Sequence, residues 1–167
     1  MRRTVVFSSA VGLLLIGSGA FAQAKPNYTG KWTILPDSSP SAMQQGMPRG
    51  GADMGGLGEE GTITVDDKTL TIGRSSTVVP QSVFNLDGTE TRQTVDIGNG
   101  NLVDLTLKAK WDGNKILTST WATVQGQSFE IVLNLSIDDK GNLVTEHTTP
   151  PMGNMPGGTQ ITKYKKQ

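Results

Sequence analysis

From Asn101 to Leu143 apolar and polar residues alternate along one long stretch. Val103, Leu105, Leu107, Ala109 and Trp111 take one parity, while Asp104, Thr106, Lys108 and Lys110 take the other. After a turn at Asp112-Gly113-Asn114 and a second apolar-rich run, Phe129, Ile131, Leu133, Leu135 and Ile137 repeat the pattern. Period two with Gly, Asn and Asp punctuation predicts strands that bury one face and wet the other. The same reading places strands near 28–34, 62–66, 69–76, 78–86, 89–97, 101–111, 115–125, 127–137, 143–149 and 159–165. The links between them, such as Asp66-Asp67-Lys68, Asp87-Gly88 and Gly98-Asn99-Gly100, are short and rich in residues that accept positive φ. Sequential neighbours must then pair antiparallel. No segment carries a helical stripe, so the expected fold class is all-β: an antiparallel up-and-down meander of about 8–10 strands, closed into a barrel or strongly curled.

The faces that should point inward are not uniformly apolar. If Val95 and Ile97 face in, so do Thr91 and Gln93; with Leu70 and Ile72 goes Arg74; with Leu143 go Thr145 and His147. An unpaired buried polar group costs roughly 1–3 kcal/mol, so these five residues suit an interior that holds water or a ligand. Arg74, Thr91, Gln93, Thr145 and His147 are therefore the candidate ligand contacts.

The chain begins with Arg2 and Arg3, a short apolar run from Val11 to Ile16, and Ala20-Phe21-Ala22. That order predicts a secretory signal peptide over residues 1–22, with Ala24 as the alternative cut. A single domain over 23–167, about 145 residues, would follow. Its charge would be about minus two, which argues against nucleic acid as a partner. No later apolar run has the roughly 18 residues of a membrane-spanning helix. The expected location is the periplasm or the cell exterior. Cysteine is absent, which removes disulfides and thiolate chemistry.

Gly30-Lys31-Trp32 opens the first predicted strand, Phe84-Asn85-Leu86-Asp87-Gly88 and Trp111-Asp112-Gly113 mark two hairpins, and Tyr164-Lys165-Lys166 comes near the end. With the meander, these motifs resemble small exported bacterial lipocalin-like (calycin-type) barrel domains. The resemblance implies that Trp32 packs across one barrel end against a basic residue of the last strand, Lys163 or Lys165, with Lys163 the first choice. It also implies a carrier for a small apolar or amphipathic molecule. The sequence lacks the second Thr-Asp-Tyr type motif of true lipocalins.

A stretch from Pro36 to Gly61 is rich in Gly, Pro, Ser and Met, and is expected to form a long flexible loop. Apart from Met1, the methionines lie in two such loops: Met43, Met47 and Met54 in the first, Met152 and Met155 in the second. Soft thioethers suit Cu(I), which makes a periplasmic Cu(I)-binding protein one alternative; a barrel-mouth cover touching an apolar ligand is the plainer use of Met. A structural or protein-interaction module with a packed core is the other alternative. One histidine and no cysteine leave no nucleophile with a base, so no enzyme activity is expected and no cofactor is implied. Gly55-Gly56-Leu57-Gly58 does not stand between a strand and a helix, the context a phosphate loop needs.

Overall fold

The alternating runs become ten strands in a computed structural model that describes residues 25–38, 55–124, 126–151 and 157–167. The first four are β1 (Gly30–Ile34), β2 (Glu60–Val65), β3 (Thr69–Arg74) and β4 (Gln81–Asn85). β5 (Thr91–Asp96), β6 (Leu102–Asp112), β7 (Lys115–Val124), β8 (Gln127–Ile137), β9 (Leu143–Thr149) and β10 (Gly158–Lys166) follow. The predicted signal peptide, all five loop methionines and most of the 36–61 loop lie outside the described residues.

All strand pairs are antiparallel, and the sheet order is β4-β3-β2-β1-β10-β9-β8-β7-β6-β5. β1 lies between β2 and β10, so the first and last strands are neighbours and the sheet curls into a nearly closed barrel. This is consistent with a lipocalin-like barrel. Its unsealed seam falls between β4 and β5, although only Leu86–Glu90 connects them. Contacts that stitch the seam include an isolated bridge from Asp87 to Lys110 on β6 and the Gln93 side-chain amide, which donates to the Gln81 carbonyl at 2.7 Å. The strand predicted at 78–86 starts three residues late. Ser76 Oγ caps the Val78 and Val79 amides in a turn that runs into Pro80, which cannot donate to a ladder.

Inward residues form one core. Ile63, Leu70, Ile72, Leu107, Ile116, Leu135 and Leu143 are fully buried, each contributing roughly 1.5–3 kcal/mol. One barrel end is filled by large rings. Trp32 is buried and its indole N–H donates to the Tyr28 carbonyl at 2.9 Å. The Tyr28 hydroxyl donates to the carbonyls of Asn114, at 2.6 Å, and Leu135, at 3.1 Å. Burial pushes that phenol up to about 12. Trp111 packs on Tyr28 with ring centroids 5.9 Å apart, and the Lys25 ammonium stands 4.3 Å above the Trp111 ring.

The basic residue beside Trp32 is Lys166, its ammonium 5.5 Å from the ring centroid, and this corrects the expectation of Lys163 or Lys165. Period two explains the difference. Lys166 pairs with Trp32 in the ladder and shares the inward parity of Tyr164, whereas Lys163 and Lys165 point outward. Lys163 instead reaches Asp138 at 3.6 Å.

Tight turns at the ring-filled end are held by aspartates. Asp66 accepts from the amides of Lys68 and Thr69 and from the Thr69 hydroxyl, and these bonds hold its carboxyl below the ordinary range. Asp87 and Asp138 are lowered by similar bonds at their own turns.

Trp32→Ala should lower unfolding free energy by about 3–5 kcal/mol, read from urea denaturation, while Ile161→Ala, at an exposed outward position, should change it by less than about 0.5 kcal/mol. Because the folded pKa of Asp66 is depressed, its stabilisation is present above the unfolded value of about 3.9 and fades as pH falls through the lower folded value. Asp66→Ala should therefore melt below the wild type at neutral pH, with the gap narrowing as the pH is taken below about 3.9. A gap unchanged by that acidification would contradict the role given to this carboxylate.

Candidate functional site

The opposite barrel end is lined by smaller side chains and keeps open space. Where Trp32, Tyr28 and Phe84 fill the interior elsewhere, β5, β6 and β7 here supply Val95, Val103 and Ala122. They leave a cavity of about 290 Å³. Leu105, Phe129 and Ile131 continue the wall, Val78 and Val79 of the β3–β4 loop cover one side, and half-exposed Ile97 stands at the rim. The polar lining is sparse: Arg74, Ser82 and Thr120.

Arg74 ends β3 with its side chain inward, on the parity of Leu70 and Ile72. Its guanidinium donates through Nε to the Gly56 carbonyl at 2.7 Å, through Nη1 to Ser82 Oγ at 2.9 Å, and through Nη2 to the Gly55 carbonyl at 3.2 Å. All three acceptors are neutral. Among the described residues, no carboxylate lies within ion-pair distance of it. Desolvation pulls its pKa down to about 10, which still leaves it charged at neutral pH.

The two carbonyls belong to a strap, Gly55 to Gly58, that runs into β2 across the cavity end. Gly55 has φ +94°, a conformation side chains rarely adopt, and a Cβ there would lie 3.4 Å from Ile131 on the far wall. Leu57 is fully buried and rests on Gly61, where any Cβ would collide with it. That burial contributes roughly 1.5–3 kcal/mol. The Gly58 carbonyl accepts from the Tyr164 hydroxyl at 2.9 Å. The strap is thus fixed at Arg74, Gly61 and Tyr164.

Of the five residues expected to contact a ligand, Arg74 lines the cavity and the other four do not. Gln93 lies at the seam. Thr91 is partly buried, and among the described residues its Oγ1 has no hydrogen-bond partner. Thr145 is buried and donates to the Thr162 carbonyl at 3.4 Å, and His147 is buried on the same face of β9. Their inward parity follows from the strand period, but they stand against β8 and β10 rather than in the open space.

Ser82 and Thr120 were missed. Ser82 was legible through its parity with Phe84; the strap carbonyls, being backbone, leave no signal in a side-chain pattern. Glu146 points outward next to inward His147, and no group of three His, Asp or Glu able to hold a metal occurs among the described residues. The site therefore offers apolar surface, two hydroxyls and one cation. No protein-family model and no curated protein matches this chain, so its function has to be read from this chemistry.

Proposed function

We propose that the chain is an exported binding or carrier protein of lipocalin-like type, holding a small, predominantly apolar molecule in the cavity between the strap and the β5–β8 wall. The observation that carries this reading is the cavity of about 290 Å³, apolar on most of its lining with polar groups at few points. Small-molecule sites have this character: apolar burial supplies affinity and a few polar groups fix orientation. Binding would be driven by about 25 cal/mol per Å² of apolar surface removed from water. Export is supported by Arg2-Arg3, the Val11–Ile16 run and Ala20-Phe21-Ala22. A carrier is favoured over a packed interaction module because, among the described residues, large rings fill one barrel end and a cavity remains at the other.

N-phenyl-1-naphthylamine, a neutral apolar dye, should bind with saturable fluorescence enhancement and 1:1 stoichiometry. Ala122→Phe, which puts a ring into the cavity, should weaken that binding by at least about tenfold while the circular dichroism of the barrel is unchanged. Equal dye affinity in the two proteins would remove the cavity as the binding site. Dye at about 100 times its dissociation constant should also stabilise the wild type by about 2.7 kcal/mol.

A further inference from the structure

We propose that Arg74 is an anion site which the Gly55–Gly58 strap occupies with its own carbonyls until an amphiphile with a single anionic head takes their place. This rests on the cavity being the binding site, and it adds the ligand class and a coupling between binding and strap release.

Among the described residues the guanidinium is the one charged group in the cavity lining, and the acceptors it meets there carry no charge. A buried cation without a counter-ion is costly, and a guanidinium matches a carboxylate or sulfonate as a planar fork, with shorter and stronger bonds than neutral acceptors give. A ligand whose apolar body lies along Val103, Ala122 and Ile131 therefore gains most if its head is a monoanion reaching Arg74. Ser82 Oγ can stay in place as a second polar group. The Gly55 and Gly56 carbonyls hold Nε and Nη2, the side-on fork of the guanidinium, so a carboxylate that takes that fork displaces them.

What remains of the strap's anchorage is then Leu57 on Gly61 and the bond from Tyr164 to Gly58. The strap and the anion thus compete for one guanidinium. A neutral ligand of equal length leaves that contact intact. A cationic one meets a like charge.

The test uses octanoate, 1-octanol and octylammonium at neutral pH, each competing with N-phenyl-1-naphthylamine. Wild-type protein should bind octanoate at least about tenfold tighter than octanol, with octylammonium weakest. Arg74→Gln should keep octanol binding and lose the preference. Gly61→Ala, which unseats Leu57 and leaves Arg74 intact, should raise the ratio of octanoate to octanol affinity. Hydrogen exchange on the wild type supplies a readout independent of any variant: amides in residues 55–60 should exchange faster with saturating octanoate than with saturating octanol.

Equal wild-type affinity for all three amphiphiles would overturn the anion site and leave the carrier reading standing. Preference for octanoate with unchanged strap exchange would overturn the displacement. Failure of all three to displace the dye would overturn this inference together with the reading on which it rests.

Discussion

The barrel depends on one short strand being gripped from both sides. β1 has five residues, and within them Trp32 faces Gly61 on β2 and Lys166 on β10. If β1 is lost, the sheet becomes an open ladder with its apolar face in water. Its small size is compensated by what it carries. Trp32 is the largest of the fully buried side chains, its N–H is satisfied by Tyr28, and Tyr28 in turn ties the β6–β7 turn and β8 to the same point. A few hydrogen bonds and three rings therefore fix one barrel end, and the smaller residues at the other end can leave room without costing the fold its closure.

The division between the two ends explains what could be read from the chain. Period-two alternation is local and obeys sterics alone, so the strands, the pairing of sequential neighbours other than β4 and β5, and the inward parity of Arg74, Thr145 and His147 were legible. Parity also determines that Lys166, and not Lys163, meets Trp32, but only once the register of β10 on β1 is known. Which inward polar residue meets open space was not legible. That depends on how far the neighbouring strands fill the interior at each level, and Thr145 is accommodated by its neighbour Thr162 while Arg74 sits beside the void. The strap escaped for a different reason: its contacts are made by carbonyls and by an absent side chain at Gly61.

A gap between two strands adjacent in sequence is equally invisible in a hydropathy pattern. β4 and β5 are short and share no ladder, and among the described residues an amide from Gln93 and the bridge at Asp87 help hold them together. Edge strands of this kind can recruit foreign strands. Here the edges are only five and six residues long, and Gln81, Arg92, Thr94 and Asp96 give their outer sides a polar character that blunts that risk.

The seam also divides the chain for folding. It separates a four-strand arm, β1–β4, from a six-strand arm, β5–β10; β2–β4 and β5–β8 are linked by short turns, whereas β1 reaches β2 only across the long loop that follows Ile34. The arms then meet where β1 docks on β10, a contact whose ends are separated by 134 residues at Thr33 and Gln167. Loop closure over such a distance is the slow step that topology imposes on non-local sheets. The ladder that costs the chain most entropy to close is thus the one that seats the tryptophan.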